Sequence, residues 1–131
     1  MKRHPSLLQL SREHHVALKL ALDCRKVSGN ADDAAAAVVS SRVAALFATE
    51  LEPHFQREEA ELLPALLTVG ESVLVSRTLA EHEVLRNLAR RIEAGDRAAL
   101  APFAEALADH VRFEERELFE RAQMYPVYGA G

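Results

Sequence analysis

The sequence predicts an all-α chain folded as an up-down-up-down four-helix bundle. Three observations carry this prediction. Four long segments repeat apolar residues at three- and four-residue spacing. The stretches between them are short. Glycine and proline are scarce, five of each, in a chain rich in alanine and leucine and without tryptophan. At 131 residues this reads as one domain, 1–131, with the bundle over about 7–122 and a C-terminal tail marked by Pro126 and Gly129.

Helix 1 is expected from Leu7 to about Val27, with Ser6 as its N-cap. Its inward stripe is Leu7, Leu10, His14, Ala17, Leu18 and Ala21, and Ser28-Gly29-Asn30 ends it. Helix 2 starts at Asp32 or Asp33 and runs through Val43, Phe47, Leu51, His54, Leu62 and Ala65 to Gly70. Pro53 should bend it and Pro64 should disturb its last turn. Helix 3 covers about 71–94, with Val75, Leu79, His82, Leu85, Ala89 and Ile92 in phase. Gly95-Asp96 makes a turn, and helix 4 covers about 97–122, with Phe103, Leu107, His110, Phe113 and Leu118 in phase.

Each helix carries one histidine on its apolar stripe: His14, His54, His82 and His110. Glu58 and Glu114 follow His54 and His110 by four residues, which puts each pair on one helix face. The order also repeats. Glu13-His14 matches Glu81-His82, and the H-x-x-x-E-E-x-E-L run from His54 matches the run from His110. A repeated helical pair implies pseudo-two-fold symmetry. Histidine with carboxylate is a ligand set for iron, manganese or zinc. Two halves, each giving two histidines and one glutamate, suit a dinuclear metal site in the bundle core, with Glu58 and Glu114 as bridges. Buried glutamates among leucine and phenylalanine need a cation or a partner. His15 is the alternative to His14 on helix 1, although it lies off the stripe.

Counting along the helices places His82 and His110 at one level and His54 near it. His14 lies 15 residues before Gly29, but His54 lies 25 beyond it. Either an irregular stretch around 31–37 or an overshoot of helix 2 would absorb the difference. Glu13 and Glu81 are read as exposed or as hydrogen-bond partners of the ligands. Glu59, Glu61, Glu115 and Glu117 are read as solvated or arginine-paired. His4 reads as a free tail residue, Cys24 as a packing residue, and Tyr125 and Tyr128 as residues that cap a bundle end.

A net charge of −4 argues against a nucleic-acid surface. The N-terminus carries no apolar leader, and no stretch reads as a membrane span, so a cytoplasmic location is expected.

These motifs resemble the haemerythrin-like, or HHE cation-binding, family. The signatures are Leu10 to His15, Pro53 to Glu59, Ala80 to Glu83 and His110 to Glu115, and the resemblance spans about 7–122. The family implies a four-helix bundle around an oxo- or hydroxo-bridged di-iron centre, two iron ions, with manganese or zinc as lesser candidates. Oxygen-carrying members have a second third-helix histidine where this chain has Arg86, and an aspartate where it has Glu115. The four-histidine, two-glutamate set looks more like di-iron proteins of nitrosative-stress repair and iron sensing. The expected partner is therefore a small diatomic or peroxide ligand. Three functions follow: a module that senses or stores iron or a diatomic gas, an enzyme that processes NO or peroxide or donates iron to damaged clusters, and a zinc-bearing or metal-free interaction domain.

Overall fold

The computed structural model describes residues 4–28 and 32–125. Its elements are all helical: α1 (Pro5–Ser28), α2 (Asp33–Thr68), α3 (Ser72–Glu93) and α4 (residues 100–122), the last led in by a 3-10 turn, Arg97–Ala99. Helix 1 starts two residues earlier than expected, with Pro5 in its first turn. His4 takes the capping role assigned to Ser6. Its carbonyl accepts from the amides of Leu7 and Leu8, its Nδ1 accepts from the Ser6 amide, and its own amide donates to Gln123. It is thus not a free tail residue. Asp32 caps α2 through the amides of Ala34 and Ala35.

Two of the turns share one physical solution. Gly70 and Gly95 take positive φ, +91° and +96°, which a glycine tolerates without a Cβ clash. Around each, the following residue's amide returns to a carbonyl five residues back: Glu71 to Leu66, and Asp96 to Arg91. The expected stop at Gly29 lies outside the described residues.

The inward stripes follow alternating three- and four-residue steps, the spacing that keeps a seam facing its neighbours in a bundle. In α1 the buried positions include Leu7, Leu10, His14, Ala17, Ala21 and Cys24. Leu18, expected inward, is exposed. In α3 they include Val75, Thr78, His82, Leu85, Ala89 and Ile92, so Thr78 replaces the expected Leu79, which is exposed. Thr78 can be buried because its hydroxyl donates to the Leu74 carbonyl one turn back, at 2.8 Å.

These stripes form two apolar layers. One contains Ala17, Leu20, Val43, Leu51, Phe55, Leu85, Phe103 and Leu107. The other contains Leu7, Leu10, Leu62, Leu66, Phe113, Leu118 and Phe119. Cys24 is a packing residue of the first layer, and its thiol pKa is pushed up to about 12 by burial. Tyr125 packs against the second layer and donates its hydroxyl to Glu71, as a cap on that end. Tyr128 lies outside the described residues. The histidines fall between the two layers in every helix.

The level mismatch is resolved by overshoot. The helix is regular from Asp33, without an irregular stretch from there to 37. Ser40 accepts from Arg97 at the α3–α4 turn and Ala37 lines the same groove as Gly95, so the first turns of α2 lie at and beyond that end, with Ala36 and Val39 still buried in the first layer. By length and composition α2 is long and apolar enough to cross a membrane, with a window of mean hydropathy 1.4, which corrects the expectation that no segment would be. The same helix sends His54 and Glu58 into the core.

Pro53 and Pro64 do not break α2. Each follows a wider π turn, Phe47–Leu51 and Glu58–Leu62, closed by bonds from the Glu52 amide to the Phe47 carbonyl and from the Leu63 amide to the Glu58 carbonyl. The extra residue accommodates a ring that lacks an N–H and crowds the preceding turn. A third π turn, Glu114–Leu118, occurs in α4 without a proline. The second and third therefore share something else: each begins at one of the two buried glutamates.

Candidate metal centre

All six sequence-predicted residues meet in the polar layer. Glu58, Glu114 and His82 are fully buried, and His14, His54 and His110 nearly so. His15 faces outward, so α1 presents His14. Two overlapping groups have ligand atoms within 4.8 Å of one another: His14, His54, Glu58 and Glu114, and Glu58, His82, His110 and Glu114. Both glutamates belong to both groups. Glu114 divides its oxygens between them: Oε1 lies 2.8 Å from His14 Nε2 and 3.6 Å from His54 Nε2, while Oε2 lies 3.1 Å from His110 Nε2 and 3.8 Å from His82 Nε2. Glu58 does the same, with Oε2 3.2 Å from His54 Nε2 and Oε1 3.0 Å from His82 Nε2. Each carboxylate thus offers one oxygen to each group, and either group could hold a metal ion.

The other ring nitrogens are also spoken for. His14 Nδ1 lies 2.6 Å from Glu115, His54 Nδ1 2.7 Å from Glu13, His82 Nδ1 2.7 Å from Glu59, and His110 Nδ1 2.7 Å from Glu81. Each Nδ1–H donates outward to a carboxylate, which leaves each Nε2 lone pair pointing inward. The pattern obeys the repeat. The glutamate before a histidine on α1 or α3 serves the next helix, and the second glutamate of each Glu-Glu pair does the same around the bundle: Glu59 on α2 serves His82 on α3, and Glu115 on α4 serves His14 on α1.

Glu59 and Glu115 correct the sequence reading, which made them solvated or arginine-paired. Glu59 does pair with Arg86, but both carboxylates orient ligand-set histidines. The Glu-Glu doublet recurs in both halves, but so do the exposed Glu61 and Glu117, so the repeat alone does not separate the two kinds of position. For Glu13 and Glu81, the hydrogen-bonded alternative is the one found. Glu117 is exposed beside Arg77, and Glu61 is exposed.

The electrostatics call for positive charge at the centre. Burial alone would lower the histidine pKa values, but the carboxylates outweigh it. Hydrogen bonds and charge from Glu114 and Glu58 raise His54 to about 11 and His82 to about 9. Glu114, Glu81 and Glu58 raise His110 to about 10, and Glu114 with Glu115 raises His14. Glu114 itself is held well below the ordinary carboxylate range, despite full burial, by the surrounding imidazoles. A cation bound to the Nε2 atoms would meet the same demand with neutral rings.

Four polar atoms of this layer are unmatched. His54 Nε2, His110 Nε2, Glu58 Oε2 and Glu114 Oε2 are buried and have no partner in hydrogen-bond geometry. Buried polar atoms are rarely left so. All four point into the same layer, and all four are metal-ligand atoms, so the donor set fits a pair of metal ions.

A small cavity of about 10 Å³ adjoins this layer, the lower limit of space for one water. Glu13, Ala17, Glu50, Leu51, Phe55, Leu107 and Val111 line it, beside His14, His54 and His110.

Residues 7–122 match the hemerythrin HHE cation binding domain. Neither a curated protein nor a solved structure matches the chain. The match covers the four helices and all six buried residues of the polar layer, and on that basis the chain belongs to the hemerythrin HHE cation-binding domain family.

Proposed function

We propose that this is a non-haem di-iron-binding protein that takes up a small ligand, O₂, NO or peroxide, or senses iron itself, in a binding or stress-response role. The observation that carries the reading is the pair of shared carboxylates. Glu58 and Glu114 each place one oxygen toward the His14–His54 pair or its neighbour and the other toward the His82–His110 side. One mononuclear ion would not need two donor groups that overlap in this way. The balance of four imidazoles and two carboxylates suits iron better than a thiolate-free structural zinc site. Iron bound there would supply redox chemistry and coordination positions open to small ligands.

The residues of the chain do the rest. His14, His54, His82 and His110 would hold the ions through Nε2, and Glu58 and Glu114 would bridge them. Glu13, Glu59, Glu81 and Glu115 fix the ring orientations. The two apolar layers exclude bulk water, and the cavity beside His14 and His54 leaves space on the scale of one water. Neither a nucleic-acid nor a membrane partner enters this reading.

The test is metal content of untagged protein purified without oxygen, with its absorption spectrum before and after NO or peroxide is added. About two irons per chain and ligand-sensitive near-ultraviolet bands support the proposal. Zinc alone from iron-replete cells, or no metal, overturns it.

A further inference from the structure

The third helix carries Arg86 one turn after His82, on the same side of the helix. A guanidinium has donors and no acceptor, so it cannot be a ligand. Its side chain is nonetheless only 14% exposed and fully engaged. Nε and Nη2 grip both oxygens of Glu52 on α2, at 2.7 and 2.9 Å. Nη1 donates to Glu59 Oε2 at 3.0 Å and to Glu83 at 2.8 Å. That same Glu59 oxygen receives His82 Nδ1. The guanidinium also lies 5.7 Å over the Phe55 ring, and Phe55 in turn stacks on the His82 ring at 4.1 Å and 15°.

Arg86 thus holds both things that orient His82: the carboxylate at its edge and the phenyl ring on its face. Other arginines approach the histidine partners differently. Arg57 on Glu13 and Arg77 on Glu81 are 40% and 49% exposed, where ion pairs contribute little. Arg86 is the sheltered one, gripped in a two-pronged carboxylate contact whose geometry a lysine cannot reproduce.

We infer that Arg86 is a positioning residue for the metal ion on the His82 side, acting through Glu59 and Phe55. The inference rests on the metal-site reading above. Removing a partner one step behind a ligand lowers metal affinity about 10- to 100-fold. The expected effect is therefore on one of two binding steps and not on both.

The experiment is anaerobic cobalt(II) titration of the metal-free full chain, read by visible absorption, for the native protein, Arg86→Met, Glu59→Gln and the double variant. Thermal melts of the metal-free forms are measured alongside. The native chain should bind two ions. Arg86→Met should bind one ion normally and the other 10- to 100-fold more weakly, with an altered band for the weakened site. Glu59→Gln should do the same, and the double variant should lose little beyond Glu59→Gln alone, because the two act in series. Should Arg86→Met fail to fold, Glu59→Gln decides the matter: unchanged affinity at both steps overturns the inference. A lower melting temperature in Arg86→Met with both dissociation constants within about twofold of native also overturns it, since Arg86 would then be a structural tie. Fully additive losses overturn the route through Glu59. A native chain that binds no cobalt overturns the metal-site reading beneath, a result distinct from any change between variants.

Discussion

Ala17 and Leu85 hold the same place in the two halves of the repeat, each three residues after a histidine of the polar layer, yet only Ala17 borders the cavity beside that layer. Leu85 is 1% exposed and fills its side. A second pair differs in bulk: Phe55 and its smaller counterpart Val111 both line the cavity, and Phe55 also stacks on His82. The halves match in ligands and differ in the bulk around them. Ala17→Leu should therefore close the space at His14. With metal content unchanged, we expect azide or NO to bind the iron-loaded variant at least tenfold more slowly in stopped-flow absorption. A rate equal to native would show that ligands arrive by another route.

The shared carboxylates predict unequal effects of ligand removal. His14→Ala removes a donor from one group, whereas Glu114→Ala removes one from both. His14→Ala should retain close to half of the native metal, and Glu114→Ala close to none, by elemental analysis after gel filtration. Metal-linked stability should fall in step: free metal at 100 times its dissociation constant contributes about 2.7 kcal/mol. Equal metal loss in the two variants would argue against carboxylates that span both positions.

Much of this was legible in the sequence because each signal is periodic. The alternating three- and four-residue stripe fixes which face is inward, and the i, i+4 spacing puts His54 with Glu58 and His110 with Glu114 on one face. What escaped was set by tertiary context. Leu79 takes the inward place by hydrophobicity, until the Thr78 hydroxyl is seen to bond within its own helix and fill that place instead. Glu59 and Glu115 read as solvated charges because only the packed bundle brings His82 and His14 against them. The π turns left no local signature that separates Glu58 or Glu114 from an ordinary helical residue. The overshoot of α2 was countable as a mismatch, but only the Arg97–Ser40 contact shows which end carries it.

The outward hydrogen bonds of the four rings predict a graded loss. Glu81 accepts from His110 and is itself held by Arg77. Its pKa is lowered, for although burial would raise it, bonds from His110 and Arg77 prevail. Glu81→Gln keeps the shape and an acceptor oxygen but removes the charge that favours a strongly donating ring. Affinity for iron(II) or cobalt(II) should drop about 10- to 100-fold, with the fold intact by circular dichroism. Native affinity in this variant would mean that its carboxylate does no more than fill space.

The raised histidines make the metal-free and metal-loaded forms respond oppositely to pH. In the metal-free chain, His82, His110 and His54 have folded pKa values near 9, 10 and 11, above the roughly 6.5 of an unfolded histidine. A group with a raised folded pKa contributes stability that is complete below its unfolded pKa and is lost as pH rises through the folded one. Glu114 has the opposite sign: its lowered pKa stabilises above the unfolded carboxylate value and that contribution is lost in acid. The metal-free protein should thus be most stable between about pH 4.5 and 6.5 and weaken steadily above. Metal requires neutral Nε2 atoms, so binding releases protons and tightens as pH rises. Melting temperatures measured with and without chelator from pH 5 to 9 should therefore diverge, the loaded form gaining on the metal-free form throughout. Two curves that stay parallel would mean that the protons on these rings and the metal do not compete for the same nitrogen atoms.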